Sequence, residues 1–195
     1  MDEQLIAWGR RVKRDQEPPP LWLFSDETRM PDLFAVLRAL PPGLCGVVFR
    51  HDSVPDRVAL GKKLAKFCRA RRIALVVAGD ARLAAKLRAG LHLRGGRRSG
   101  WLARQRRQLL TSSVHNGSEL MRARRAGAKI LFCSPVFPTS SHQGAPVLGV
   151  FGFCALARMA GPAKPYALGG IAGRSVLVLG KTCAGAGAID AFLCV

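Results

Sequence analysis

Short apolar runs alternate along this chain with longer segments in which apolar residues recur at helical spacing. The pattern predicts eight strands that alternate with helices. In chain order they are LWLFSDE, LCGVVFRHD, IALVVAGD, GLHLRGG, LLTSSVH, KILFCSPVF, PYALGGI and GAIDAFLCV. Strands that are apolar on both faces and alternate with helices are typical of a parallel sheet, so the sequence predicts an α/β protein.

Eight such units close most simply into a (β/α)8 TIM barrel. An open, doubly wound sheet is the alternative, but no GxGxxG motif follows the first strand, so its dinucleotide-binding form has little support. We assign residues 1–20 to an N-terminal extension and residues 21–195 to a single TIM-barrel domain. The eighth predicted strand extends to Val195, so we expect the final helix to be absent. Either the segment EQLIAWGRRVK or a partner chain in a homodimer would then cover that surface.

Composition favours one domain located in the cytoplasm. The chain has 195 residues, 49% of them hydrophobic, which is enough for one good core. No apolar run approaches the ~20 residues of a membrane helix, and the first residues lack the apolar core of a signal peptide. The six cysteines are scattered without a CxxC pair, so we expect buried, reduced thiols.

The charge points to anionic ligands. Lys and Arg number 31 against 12 Asp and Glu, a formal net charge of +19. Small phosphorylated substrates are the partners we favour. A nucleic-acid or anion-binding protein is the alternative from a different class, but the basic residues are spread over predicted helices and aromatic residues make up only 7%, which leaves little for base stacking.

Two loops at predicted strand ends carry groups suited to phosphate. In LGGI, Gly169 and Gly170 lack side-chain bulk, so backbone N–H groups can approach a phosphate closely. In PVFPTSSHQGAP, Thr139, Ser141 and His142 offer hydrogen-bond donors between prolines. An ordinary turn and an ordinary surface loop are the alternative interpretations.

The segment SSVHN contributes two candidate catalytic residues. Ser113 and His115 lie on the same side of an extended strand because side chains repeat every second residue. Ser113 could donate a hydrogen bond to a departing or attacking oxygen, and His115 could transfer a proton near neutral pH. A structural role for the histidine is the alternative.

The stretch SSVHNGSELMRARRAGAKILFCSPVFPTSSHQGAPVLG, together with YALGGI and GAGAIDAF, resembles the family that contains thiamine phosphate synthase and thiazole tautomerase. The resemblance begins at about Leu21 and is strongest from Leu110. It implies a (β/α)8 barrel of thiamine biosynthesis. The synthases join hydroxymethylpyrimidine diphosphate to thiazole phosphate with Mg²⁺ and release pyrophosphate through a carbocation-like pyrimidine. The tautomerases rearrange a thiazole carboxylate phosphate without metal.

The resemblance also implies roles for individual residues. Arg50 matches the arginine that holds pyrophosphate, and Ser113 matches the serine near the departing pyrophosphate. Thr139 and Ser141 match a hydroxyl pair in the sixth loop, and Gly170 lies in the glycine turn that holds the thiazole phosphate.

Both carboxylates expected to bind magnesium are missing from their usual places. Where synthases have Asn-Asp after strand three, this chain has Ala78-Gly79, and the nearest acid, Asp80, is the remaining candidate ligand. Where they have Gln-Glu-Asp after strand four, it has Gly95-Gly96-Arg97. One hypothesis is that Arg97, with Arg94 and Arg98, supplies fixed positive charge where the family has its metal.

Two other interpretations remain open. The protein could be a metal-independent tautomerase-like enzyme that relies on His115, which matches the histidine used for proton transfer in the tautomerases. It could also be a diverged protein that binds a phosphorylated ligand without catalysis. Further departures from the family are His142 in place of a lysine, Val48 in place of a glutamine, and Asp190 in place of the serine of strand eight.

Overall fold

The computed structural model describes residues 1–13, 18–96, 108–140, 144 and 146–193. Eight parallel strands pair in chain order, and β1 also pairs with β8, so the predicted TIM barrel is confirmed. The strands are β1 Leu21–Phe24, β2 Cys45–Phe49, β3 Ala74–Ala78, β4 Gly90–Arg94, β5 Leu110–Val114, β6 Ile130–Cys133, β7 Lys164–Leu168 and β8 Gly185–Ala188. The α-helices among the described residues are α1 Glu3–Val12, α2 Leu33–Ala39, α3 Arg57–Ala70, α4 Ala81–Leu87, α5 Gly117–Ala126, α6 Gly149–Met159 and α7 Gly173–Leu177.

Aromatic rings fill the barrel interior below the mouth. Phe132 makes edge-to-face contacts with Trp22, Phe24 and Tyr166, with ring centroids 6.0, 4.9 and 5.5 Å apart. β8 makes room for them because its sequence is GAGA. A Cβ at Gly185 would lie 2.3 Å from the Tyr166 ring, so a larger residue there would displace that ring. The interior is therefore packed, and ligands are confined to the rim.

Polar residues between strand and helix cap the helices of the outer layer. The side chains of Asp32, Asp56, Asp80 and Asn116 each accept a hydrogen bond from a backbone N–H in the first turn of α2, α3, α4 and α5. Gly127 ends α5 in a left-handed conformation, as its sequence predicts. Three aspartates near the barrel mouth thus have a structural function.

The prediction for the eighth strand was wrong in its bounds. We predicted residues 187–195, whereas β8 covers Gly185–Ala188 and a 3-10 turn covers Asp190–Phe192. β8 pairs with β7 as far as Leu168, and Gly169 then turns β7 away with a φ of +88°. The last pairing with β1 is Leu23 with Ala188. Among the described residues, β8 is not paired beyond these positions, and Asp190 lies in the 3-10 turn at the mouth.

The segment EQLIAWGRRVK forms helix α1, which packs on the barrel wall. This segment was one of the two candidates for covering the surface left without a final helix. Leu5, Ile6 and Trp8 are buried in the main hydrophobic core. A Cβ at Gly9 would lie 2.6 Å from the Leu21 side chain, and one at Gly173 would lie 2.3 Å from Cβ of Gln4. These close approaches place α1 beside β1 and α7.

The described cysteines are free thiols, and four of the five are buried. Burial raises the pKa of these four to about 12, so they stay protonated at neutral pH: Cys45, Cys68, Cys133 and Cys183. Among the described residues, no helix has the length and apolar character needed to cross a membrane.

We predict that Asp2→Ala destabilises the fold because Asp2 links α1 to α7. Its Oδ1 accepts from Leu5 N at 3.0 Å, and its Oδ2 accepts from Gly173 N at 2.6 Å. The loss of a cap and of a second charged acceptor should lower the free energy of unfolding by about 2 kcal/mol. Urea denaturation measures the change. Glu3→Ala, in the same turn but exposed, is the control, and equal effects of both variants would contradict the prediction.

Candidate functional site

A cleft opens at the mouth of the barrel, at the carboxyl ends of β1, β2, β6, β7 and β8. The cleft contains four predicted site residues, Arg50, Thr139, Gly169 and Gly170. Its other lining residues are Phe24, Arg29, Ser134, Leu168, Ile171, Ala188, Ile189 and Asp190.

The glycine turn forms the side of the cleft under the loop that follows β6. Gly169 and Gly170 have φ values of +88° and +63°, which side chains other than glycine rarely adopt. A Cβ at Gly170 would lie 2.5 Å from the carbonyl oxygen of Pro138. Phe137 N also donates to Gly169 O at 3.1 Å. The glycines therefore let the two loops pack closely, and this packing brings Thr139 to the cleft.

Three contacts hold the Arg50 side chain in place at the mouth of the barrel. Its Nε donates to the Ser25 carbonyl oxygen at 3.0 Å, and its Nη2 contacts Asp26 Oδ2 at 3.3 Å. The guanidinium also lies over the Phe24 ring, 5.6 Å from its centroid. Burial lowers the pKa of Arg50, the nearby Asp26 opposes that effect, and the group remains cationic at neutral pH. Arg50 can thus present a fixed positive charge to an anion.

Arg29 and Asp190 complete the charged part of the cleft. Arg29 Nη1 donates to Asp190 Oδ1 at 3.0 Å and to Ser140 Oγ at 3.2 Å, and Ser140 Oγ donates to Asp190 Oδ2 at 3.2 Å. Arg29 was not among the predicted site residues. The only sequence signal for it was a basic residue shortly after the first strand, in SDETR.

Ser113 belongs to a buried hydrogen-bonded chain in the barrel interior. His92 contacts Thr111 Oγ1 through Nδ1 at 2.8 Å and Ser113 Oγ through Nε2 at 2.9 Å. Burial, reinforced by the charges of Arg50 and Arg94, lowers the pKa of His92 to about 3. The imidazole is therefore neutral at physiological pH. Sequence reasoning did not select His92 as a site residue, and its inward position is shown by the contacts of its ring with Phe24 and Phe132.

His115 lies apart from the cleft lining. Its side chain is half exposed, and its Nδ1 contacts Glu119 Oε2 of α5 at 2.7 Å. The backbone N–H of His115 donates to the same carboxylate oxygen at 2.9 Å. The structure thus gives His115 a local contact with α5 and does not join it to the residues that surround Arg50.

The described residues at the ends of β2, β3 and β4 do not fit a magnesium site. Asp80 Oδ1 accepts from Leu83 N at 2.9 Å, and its Oδ2 contacts Arg57 Nη1 at 3.3 Å. Asp52 pairs with Arg57 Nη2 at 2.8 Å and with Arg94. No group of three potential ligating side chains suited to a metal occurs among the described positions. Mg²⁺ is usually held by one or two carboxylates together with substrate phosphates, whereas these carboxylates are already paired with arginines or a helix end.

Three predicted site residues, Arg97, Ser141 and His142, lie outside the described residues. The same holds for Arg98 and for almost all of the helix predicted for GWLARQRRQ. Their roles stay predictions from the sequence.

The buried His92 makes stability depend on pH. Its pKa is about 3 in the folded protein and near the ordinary value of 6.5 in the unfolded chain, so the unfolded state binds more protons below pH 6.5. Stability should therefore fall as the pH falls. Between pH 6.5 and 5, we predict that wild type loses about 1.5 kcal/mol more stability than His92→Gln. Urea denaturation at several pH values measures this difference, and parallel profiles for the two proteins would contradict it.

Comparisons with known proteins agree with the barrel fold. The sequence profile of the family described as thiamine monophosphate synthase matches residues 23–190. The thiamine-phosphate synthase of Geobacillus kaustophilus (strain HTA426) is 33% identical over 129 residues, which are 62% of this chain and 58% of that protein.

Two solved structures show the same fold. Thiamine phosphate pyrophosphorylase from Pyrococcus furiosus has a TM-score of 0.74 at 24% identity, covering 87% of this chain and 85% of that one. Its namesake from Bacteroides thetaiotaomicron has a TM-score of 0.51 at 18% identity, covering 88% and 82%. Since the family profile spans most of the barrel, the chain belongs to the thiamine monophosphate synthase family.

Proposed function

We propose that the protein is a transferase similar to thiamine phosphate synthase, which joins hydroxymethylpyrimidine diphosphate to thiazole phosphate and releases pyrophosphate. One observation carries the proposal: the glycine turn, Thr139 and the guanidinium groups of Arg29 and Arg50 line one cleft at the mouth of a barrel of this family. Backbone N–H groups, a hydroxyl and fixed cations are the groups that bind phosphate esters.

The substrates would divide between two parts of the mouth. The turn at Gly169 and Gly170, with Thr139, would hold the phosphate of the thiazole. Arg50 would hold the diphosphate of the pyrimidine. In the reaction, the bond from the pyrimidine methylene carbon to the diphosphate oxygen breaks and the oxygen keeps the electron pair. The lone pair of the thiazole nitrogen then forms the new carbon–nitrogen bond, so the atoms balance without an added proton.

The neutral His92 suits a directional hydrogen-bond chain to the departing group. In the tautomer with a proton on Nε2, His92 accepts from the Thr111 hydroxyl through Nδ1 and donates to Ser113 Oγ through Nε2. Ser113 is then left to donate its own proton to the departing diphosphate oxygen. A charged imidazole would be a donor on both sides and could not accept from Thr111.

Arginine side chains would supply the positive charge that the family obtains from Mg²⁺. Asp80 and Asp52 are already paired with arginines or a helix end, so the arginines would fill this role without a metal ion. The Arg94 guanidinium lies 3.6 Å from the Cβ position of Gly79, just beyond β3, at one of the places where relatives have their acids. Arg94 also acts electrostatically on Arg50 and His92, which places it near both. We infer that Arg94 shares the diphosphate charge with Arg50.

The other sequence-based expectations remain proposals of the same kind. They are a cytoplasmic location, small phosphorylated substrates rather than nucleic acid, a homodimer, and the division into an extension of residues 1–20 and a domain of residues 21–195. A tautomerase that uses His115 is the alternative activity, although the contact of His115 with Glu119 gives it no particular support.

The decisive experiment measures thiamine phosphate formation from the two purified substrates, once with Mg²⁺ and once with EDTA. Product in both supports a transferase in which arginines replace the metal. Product only with Mg²⁺ would refute the arginine mechanism while keeping the transferase. No product in either, with folded protein and an active control synthase, would refute the transferase, and a tautomerase assay on the same sample would then test the alternative.

We predict that Arg94→Ala lowers kcat/KM in EDTA by roughly 10- to 100-fold, because a hydrogen bond to a charged group contributes about 1.5–3 kcal/mol. The control is Arg158→Ala, an exposed arginine in the last turn of α6, which removes the same charge at the opposite end of the barrel. Steady-state kinetics measure both. A loss of similar size in the two variants would show that only net charge matters.

A further inference from the structure

A closed ring of three hydrogen bonds occupies one side of the cleft. Arg29 Nη1 donates to both Asp190 Oδ1 and Ser140 Oγ, and Ser140 Oγ donates to Asp190 Oδ2. A terminal guanidinium nitrogen carries two hydrogens, so Nη1 has none left for a ligand, and the Ser140 hydroxyl has donated its proton as well. The three residues come from the loops after β1, β6 and β8.

The carboxylate of Asp190 changes the electrostatics of the cleft. The two arginines that line it both have carboxylate partners, Arg29 with Asp190 and Arg50 with Asp26. Asp190 itself lines the cleft, whereas Asp26 does not. A phosphate dianion that enters the cleft therefore meets the Asp190 carboxylate, which is already paired with Arg29. Repulsion between the two negative groups at short range weakens phosphate binding.

Asp190 is also free to move away. Its side chain is 62% exposed, whereas that of Arg29 is only 24% exposed. The backbone of Asp190 belongs to a single 3-10 turn after β8, and its side-chain contacts run to Arg29 and Ser140. Rotation of an exposed aspartate into solvent costs little, so the ring can open while Arg29 stays at the cleft.

We propose that Asp190 is an internal competitor for the phosphate group of the ligand. In the free protein its carboxylate occupies Arg29 and Ser140, and when the ligand binds, a phosphate oxygen replaces it on both. The proposal rests on the proposed function in taking this cleft as the phosphate site. Asp190 is then a specificity residue that weakens phosphate binding and favours release of phosphorylated product.

The test measures binding of inorganic phosphate to the full chain by isothermal titration calorimetry, without either organic substrate. Asp190→Asn keeps the side-chain size and removes the negative charge, and we expect its Kd for phosphate to be about tenfold lower than that of wild type. Asp32→Asn is the matched control, because Asp32 is also an exposed aspartate paired with an arginine, and asparagine can still cap α2. Its Kd should not change.

A second comparison separates competition from mere charge removal. If Asp190 acts by occupying Arg29, the gain should disappear when Asp190→Asn is combined with Arg29→Ala, whereas a long-range charge effect would persist in the double variant. Asp190→Ser serves as a second single variant should the asparagine variant fold poorly. Circular dichroism checks the fold of each.

The outcomes are distinct. Tighter phosphate binding in the Asp190 variants, lost in the double variant, supports the internal competitor. Unchanged or weaker binding would overturn it, and weaker binding would mean that Asp190 positions Arg29 for the ligand. Because phosphate binding is measured without turnover, a negative transferase assay refutes the proposed function and leaves this test intact. If neither wild type nor any variant binds phosphate, the cleft is not a phosphate site, and the proposal fails.

Discussion

Pairing between β1 and β8 closes the barrel, and the arrangement at its mouth depends on that closure. The pairing requires glycine at positions 185 and 187 of β8, because the Tyr166 and Phe24 rings occupy the space that side chains there would fill. Once the strands are paired, the loop after β1 and the loop after β8 become neighbours. Arg29 and Asp190, 161 positions apart in the chain, then meet in one cleft.

Helix ends account for much of the charge distribution around the mouth. In a barrel of this kind the strands end where the helices begin, so aspartates that cap helices gather at the same rim as the ligand site. Asp80 illustrates the consequence, since one of its oxygens caps α4 and the other pairs with Arg57. An acid used in this way stabilises the fold and is no longer available to a divalent cation. Several arginine side chains at the rim therefore pair with these carboxylates, and the remaining positive charge can attract anions.

The interior chain of Thr111, His92 and Ser113 shows how the barrel holds a polar group among aromatic rings. The His92 ring lies 5.4 Å from that of Phe24 and 5.7 Å from that of Phe132, in surroundings that penalise a charged imidazole. Both ring nitrogens have hydroxyl partners, so the neutral form is satisfied. A strongly shifted pKa beside a cleft is a feature of functional sites, and here it comes from burial combined with nearby arginines.

The sequence by itself determined the repeating strand and helix units, the end of α5 at Gly127, and the loops that line the candidate site. These features are local, because helix and strand periodicity and capping act over a few residues. Periodicity could not set the bounds of β8, since a strand of glycine and alanine carries almost no hydrophobic signal and ends where its partners turn away. Only the tertiary structure decided that His92 contacts Ser113, that Arg29 joins Asp190, and that α1 packs on α7. Such contacts join residues far apart in the chain, and the register and closure of the barrel place them together.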